Sequence, residues 1–425
     1  MTSPPSRTDE RPRRGGGAAA AETVPPTGRR YVQLVLVLGA LIALGPLTID
    51  MYLPALPDLA RDLDASDAGV QFTLTGMLAG LACGQLVIGP LSDAVGRRRP
   101  LLAGVALHVV ASVLCAVAPD VVSLSAVRVL QGFAGAAISV NAMAIVRDQF
   151  VGIGAARLLS RLMLVIGAAP VLAPSLGGLI LQYTSWRGIF VVLAGCGLLL
   201  VAVAAVGLRE TLPVHRRRSA RPMATLRTYR SLLRDPTFVA LVLVAGLMMS
   251  ALFSYISGSP FVLQGIYGLD ERTFGLVFGC NALGIVLGTQ LNPLLLGRFR
   301  PSQVLTFAVV TASVAAAVMV VTTATGYGGL FGLLVPLSLV IGTCGLALPN
   351  TPALALSRHG EAAGTAAAML GMVQFGVGAV TAPLVGVLGT STAVPMASVI
   401  FAGTGLASVL LLTVIRRDPH VDSAH

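Results

Sequence analysis

The sequence predicts an all-α integral membrane protein, with twelve transmembrane helices in two six-helix repeats. Three observations carry that expectation. Of the 425 residues, 55% are hydrophobic and 11% charged, with a mean hydropathy of +0.85, whereas a soluble domain carries roughly 25% charged residues. The apolar residues collect in long runs, and at ~20 residues per crossing plus loops the chain has room for about a dozen helices. The 29 basic residues are all Arg and gather in alternate short loops, which is how a chain fixes its orientation in a bilayer. The net charge of +11 therefore reads as a topology signal, and nucleic acid is not expected as a partner.

Residues 1–30 hold Pro, Gly, Ala and Arg with no apolar stretch, so a disordered cytoplasmic tail is expected there. Spanning runs follow at 31–58, 68–91, 100–118, 121–146, 156–182, 187–208, 236–259, 273–297, 302–323, 328–355, 364–388 and 393–415. The first is too long for a signal core and lacks a clean cleavage site, so it reads as an uncleaved anchor. The longest internal loop, 209–235, divides the runs into bundles at 31–208 and 236–415, and 416–425 forms a second tail. An even number of spans puts both ends on one face. Arg fills the first tail, the loops after the second and fourth runs, the 209–235 linker and the last residues; the opposite loops keep Arg61, Arg187 and Arg272. Both termini are therefore predicted to be cytoplasmic. In the linker, Leu226, Tyr229 and Leu233 alternate with Arg227, Arg230 and Arg234. A short helix on the anionic leaflet and a solvated charged segment both fit that pattern. The five Cys lie in apolar runs without a CxxC pair, so neither a disulfide framework nor a metal site is implied.

The first run closes on Leu47-Thr48-Ile49-Asp50-Met51-Tyr52-Leu53-Pro54. Asp50 is the one acid of 18 that falls inside a span, the others lying in loops, tails or helix ends, and a carboxylate in hydrocarbon is a functional hypothesis by default. The apolar residues from Met51 to Leu59 predict that the helix runs on past it. Arg128, the only Arg inside a span away from its ends, is its expected partner, because an unpaired buried charge costs several kcal/mol. At ~1.5 Å per residue, Asp50 lies about 14 Å and Arg128 about 10 Å from the same outer surface. A static ion pair is the plainer reading of the same two residues. His108, the one His in a span, reads more readily as a packed side chain than as a proton relay.

The most distinctive motif runs from Gly84 to Pro100. Gly89 and Pro90 let the second helix bend, Gly96 permits a tight turn, and Asp93 can pair with Arg97 or Arg98 at the inner exit. A weaker copy at Gly288 to Arg300, offset by about 204 residues, suggests an internal repeat around a central site. In the fifth run, Gly167, Gly177 and Gly178 allow close backbone approach, and Pro170 and Pro174 remove two helical hydrogen bonds.

The Gly84–Pro100 stretch resembles the signature of the major facilitator superfamily. Arg128-Val-Leu-Gln131-Gly132 is similar to that family's Arg-x-x-Gln-Gly motif, and the Gly/Pro pattern of the fifth run resembles the antiporter motif of its drug exporters. Asp50-Met-Tyr-Leu-Pro54-Ala-Leu-Pro57, Trp186-Arg187-Gly-Ile-Phe190 and Glu210-Thr-Leu-Pro213 together resemble the Bcr/CflA branch, which exports bicyclomycin and chloramphenicol. The resemblance implies a proton-coupled multidrug antiporter of the inner (plasma) membrane, working by alternating access without a cofactor. It implies proton coupling at Asp50 with Arg128, and an inner gate at Gly84, Gly89, Pro90, Asp93, Gly96, Arg97 and Arg98. The helix 4 motif, Arg128, Gln131 and Gly132, and an outer seal at Gly167, Pro170, Pro174, Gly177 and Gly178 complete the implied machinery. Related antiporters carry a second acid two turns before the Asp50 position; here Ile42 stands there, so Asp50 would carry coupling alone. Met51, Tyr52, Asn141, Tyr255, Asn350 and Gln374 are the candidate walls of the drug cavity. Protons, a small drug or metabolite and the lipid bilayer are the expected partners of a monomer. A sugar, amino acid or peptide transporter of the same fold is the alternative. A membrane-embedded enzyme would need a cluster of acids or His that the spans lack. With no Lys, a Gly-x-x-x-x-Gly-Lys nucleotide loop is excluded.

Overall fold

A computed structural model of the protein describes residues 28–150, 152–217, 222–357, 359 and 362–417. The tail expected at 1–30 falls outside them up to residue 27, and the second tail does so from residue 418. Twelve helices among the described residues are long and apolar enough to cross a membrane, each within a few residues of its predicted run except the fifth, which starts at Leu164, and the seventh, which runs on to Ile266.

The first span is interrupted. Helix α1 (Gly28–Asp50) ends at Asp50, a 3-10 turn covers Leu53–Ala55, and α2 (Leu56–Asp62) completes the crossing. The expectation of one helix through Met51 to Leu59 is corrected here. Pro54 and Pro57 have no N–H to give to a preceding carbonyl, and both stand at the starts of the short pieces, where that donor is not needed. The break thus falls directly after the carboxylate.

Five helices complete the first bundle: α3 (Asp67–Val95), α4 (Arg98–Ala116), α5 (Val121–Gln149), α6 (Gly152–Leu181) and α7 (Trp186–Gly207). Ser66 caps α3 through the Gly69 N–H, and Asp120 caps α5 in a capping box with Ser123. The linker carries α8 (Pro222–Leu232). Leu226 and Leu233 are exposed, as are Arg227, Arg230 and Arg234, while Tyr229 is partly buried.

The second bundle contains α9 (Pro236–Pro260), α10 (Glu271–Leu296), α11 (Pro301–Thr325), α12 (Gly329–Ser357), α13 (Ala363–Thr381) with its short continuation α14 (Leu384–Leu388), and α15 (Val394–Arg417). Its first span is also irregular late in its course: α9 gives way after Pro260 to a π-helical turn over Phe261–Ile266. We call the side where α1 starts and α15 stops the tail face, and the opposite side the far face.

Both bundles use glycine to bring helices into backbone contact. A Cβ at Gly80 would collide with the Val129 carbonyl, and one at Gly132 with the Met77 carbonyl, so α3 and α5 pack without side chains between them. In the second bundle a Cβ at Gly345 would collide with the Ile285 carbonyl, and α10 meets α12 in the same way. The bundles join each other along α3 with α13 and along α6 with α10.

Candidate functional site

Asp50 is 3% exposed, and its Oδ1 has no hydrogen-bond partner. Arg128 does not pair with it. The guanidinium donates from Nη1 to the Thr48 carbonyl at 3.1 Å and to Gln131 Oε1 at 2.7 Å. It lies over the Tyr52 ring at 4.3 Å and near the Phe190 ring at 5.7 Å. The expected ion pair is therefore replaced by two oxygens and two aromatic faces, a substitution that a desolvated cation accepts at about 2 kcal/mol per good cation–π contact. Equal depth along two helices does not fix which way each side chain points. Arg128 Nε and Nη2 remain buried without partners.

Tyr52 and Met51 are 1% and 4% exposed. Tyr52 carries the guanidinium, and its hydroxyl lies 3.3 Å from Thr73 Oγ1. The Met51 carbonyl is where a Cβ on Gly177 would collide. Gly177 thus seats α6 on the broken end of α1. Gly167 and Gly178 turn to the other bundle, where a Cβ would come 2.8 Å from Val286 and 3.2 Å from the Glu271 carbonyl. Pro170 and Pro174 lie within α6 between these contacts.

From the second bundle comes Tyr255, buried on α9. It accepts a hydrogen bond from Asn281 Nδ2 at 3.1 Å and stacks on Phe278 at 5.1 Å. Asn141 and Asn350 are not cavity walls in this state. Asn141 Oδ1 accepts from Ser92 at 2.5 Å, tying α5 to α3, and Asn350 Nδ2 donates to Asn292 at 2.6 Å, tying α12 to α10. Sequence reasoning missed these partners; Ser92 and Asn292 fall within the two repeated stretches, which was the available signal.

The far face is sealed between bundles. Gln71, fully buried on α3, donates to the Ser257 carbonyl at 3.3 Å and accepts from the Gly386 N–H at 2.8 Å. Gln264 donates to the Pro54 carbonyl at 3.2 Å, and Thr390 donates to Asp67. The tail face instead holds a cavity of about 450 Å³ between the bundles, lined by Gln85, Pro90 and Asp93 on α3, Arg147 on α5, and Thr365 on α13. None of the six predicted wall residues lines it, and Gln374 sits half-buried elsewhere on α13.

At the cavity mouth, Arg97 pairs with Asp93 at 2.6 Å and with Asp148 at 3.0 Å, and donates to Ser92 at 2.9 Å. Arg98 leaves the predicted gate and donates to the Leu208 and Ala205 carbonyls at 2.9 and 2.7 Å. Every one of these partners belongs to the first bundle. Glu210 closes the cluster by accepting from the backbone N–H groups of Arg97, Arg98, Thr211 and Leu212. Partial burial works against its charge, but those four donors hold its pKa below the ordinary glutamate value. Gly96, at φ +100°, makes the turn that presents these amides. Gly84 faces Ala136 on α5, while Gly89 has open space around it.

Twelve spans in two bundles, sealed at one face and open at the other around a buried carboxylate, define a membrane transporter. The chain belongs to the Major Facilitator Superfamily, whose family model matches residues 38–383. It is 41% identical over 386 residues to the uncharacterized MFS-type transporter YdgK of Bacillus subtilis, covering 90% of this chain and 96% of that one. It is 31% identical over 362 residues to a bicyclomycin resistance protein homolog of Haemophilus influenzae, covering 85% and 91%. Among solved structures, a crystal structure of the peptide transporter POT in complex with sulfate superimposes with a TM-score of 0.74 at 15% identity, over 95% and 98% of the two chains. A D-xylose–proton symporter superimposes with a TM-score of 0.67 at 17% identity, over 89% and 96%. Those identities speak to the fold alone. The protein is a multi-pass membrane transporter, not an enzyme.

Proposed function

We propose that this transporter is a proton-coupled multidrug antiporter that exports small amphipathic compounds of the chloramphenicol or bicyclomycin kind. The bicyclomycin resistance homolog supports the substrate class. The Arg-rich tail face supports an inner-membrane location with both ends in the cytoplasm. The protein works as a monomer and needs no cofactor beyond the proton gradient.

One observation carries the coupling: the only buried carboxylate among the described residues stands at a helix break, with no cation paired to it. An ionised Asp50 in this state would be an uncompensated charge in hydrocarbon. It takes its proton from the far side when the far face is open. It keeps it while the seal forms, and releases it toward the tail-face cavity. On release, the free Nε and Nη2 of Arg128 offer a fork to the charged form. Drug entering from the cytoplasm displaces the proton, and the opposite charge states favour opposite openings of the two bundles.

The test is proton movement in energised inside-out vesicles. A chloramphenicol pulse should release protons from vesicles carrying the wild type, and vesicles carrying Asp50→Asn should bind drug without that release. An Asp50→Asn variant that matches an active wild type would sink the assignment.

A further inference from the structure

A chain of hydrogen bonds runs between α5, α4 and α1 beside the coupling site. Arg128 Nη1 donates to Gln131 Oε1 at 2.7 Å, and Gln131 Nε2 donates to Ser112 Oγ at 2.8 Å. Ser112 Oγ lies 3.5 Å from His108 Nδ1, and His108 Nε2 lies 2.9 Å from Thr48 Oγ1. The Thr48 carbonyl accepts from Arg128 at 3.1 Å, which returns the chain to its start. Thr48, Ser112, Arg128 and Gln131 are fully buried, and His108 is 1% exposed. The 3.5 Å link is the weakest of the ring.

The hydrogens follow from the donor inventory. Thr48 Oγ1 donates to the Leu44 carbonyl at 2.6 Å, so its single hydrogen is spent and it accepts from His108. His108 therefore carries its hydrogen on Nε2, and its Nδ1 is the acceptor. Ser112 accepts from Gln131 and gives its own hydrogen to Nδ1. From Gln131 onward each donor points the same way, from the guanidinium on α5 through Thr48, two residues before Asp50, to the Leu44 carbonyl on α1. A second proton on the imidazole would set an N–H against the Ser112 hydroxyl hydrogen and reverse one link. The ring closes with a neutral imidazole in one tautomer.

The groups around His108 are few. Arg128 on α5 is the charged side chain beside it, and on its own helix Cys115 lies two turns on while Arg98 and Arg99 stand at the tail-face end. Helix α7, which packs against α4, presents Gly197, where a Cβ would come 3.3 Å from Nδ1; its Arg187 lies at the far-face end.

We propose that His108 is a positioning residue for proton coupling. As the Nε2–H tautomer it fixes Ser112 and Gln131, and through them holds Arg128 by Nη1 alone. That leaves the Nε–Nη2 fork free for Asp50. His108 does not itself carry the transported proton. The proposal rests on Asp50 being the proton site.

The experiment is the pH profile of drug-driven proton release in the same vesicles, with drug affinity measured separately. The variants are His108→Leu, His108→Gln, Ser112→Ala and Asp50→Asn, all in the full chain. With one or two links of ~1 kcal/mol removed, His108→Leu should slow release about ten-fold and displace the profile by about one pH unit, with drug affinity within about two-fold. Ser112→Ala, which keeps the imidazole, should move the profile the same way by less, and His108→Gln, which keeps a donor and an acceptor, should recover most of the rate. A wild-type profile in His108→Leu overturns the proposal. So does a His108→Gln variant as inactive as His108→Leu beside an unaffected Ser112→Ala, because the imidazole would then be passing the proton. If His108→Leu does not fold, Ser112→Ala decides alone, by whether its profile moves. Coupled release that survives in Asp50→Asn overturns the function proposed above instead, whatever the His108 variants do.

Discussion

The two bundles share a scaffold and differ in chemistry. In each, a glycine-lined pair of helices packs backbone to backbone, α3 with α5 and α10 with α12. Each has a side-chain tie across that pair, Ser92 to Asn141 and Asn292 to Asn350. The first span of each becomes irregular near a proline late in its course. Yet Asp50, His108 and Arg128 all belong to the first bundle. One repeat on from Asp50 (50 + 204 = 254) stands Ser254, whose buried hydroxyl has no partner. The second bundle answers with a neutral chain, Ser338 to Asn281 to Tyr255 at 2.6 and 3.1 Å. Among the described residues its charged side chains stay at helix ends and loops. Duplication keeps the frame because packing constrains it everywhere. Titration needs only one side, and a second buried charge would add a desolvation penalty without adding a proton step.

The sharpest way to break this comparison is to attack the shared frame on both sides. Gly132→Ala and Gly345→Ala each drive a methyl into a carbonyl of the neighbouring helix, so each should destabilise by about 3 kcal/mol or more, at the upper end of overpacking costs. Thermal unfolding in detergent would check this. A tolerant Gly345→Ala beside a ruined Gly132→Ala would mean that the second frame is looser than the first. Next in size is the seal between bundles. Gln71→Leu removes two buried hydrogen bonds worth ~1 kcal/mol each, which should shift the population toward an open far face roughly 30-fold. Spin labels at Asp64→Cys and Ser391→Cys, both in the far-face vestibule, would report a longer distance. An unchanged distance would place the latch elsewhere.

The smallest effect concerns Glu210, at the tail-face turn of the first bundle. The Gly297 turn is followed by Arg300, whose N–H is met by Gln303 at 3.0 Å rather than by a carboxylate. Because its folded pKa is lowered, Glu210 contributes stability above the ordinary glutamate range, and that contribution is lost as pH falls through the lowered value. Hydrogen exchange at the Arg97 and Arg98 amides should therefore accelerate on acidification, and Glu210→Gln should show the faster rate already at neutral pH. Equal protection in the variant would show that the turn needs no carboxylate.

Much of the frame was legible because apolar runs and Arg-rich loops are linear signals. Local backbone effects within a run were not. Pro54 and Pro57 marked the break after Asp50, yet the apolar stretch around them read as continuous helix. The pairing of Asp50 with Arg128 failed on azimuth, which the rise per residue does not report. The His108 ring left a faint trace in the four-residue step to Ser112 and the three-residue step from Arg128 to Gln131, two same-face polar pairs in apolar helices. What joins those pairs across helices is tertiary, and no spacing within one run contains it.

Helix α6 touches both places where the mechanism must agree. Gly177 rests on the carbonyl next to Asp50, and Gly167 and Gly178, on the same rod, rest on α10. Any sliding of one bundle past the other is therefore delivered to the carboxylate as a mechanical push within a few turns of a single helix. A wedge at the α6–α10 seam would jam the cycle from the lipid side, leaving the drug chamber untouched. A compound that binds there would block export without competing with any of its cargoes.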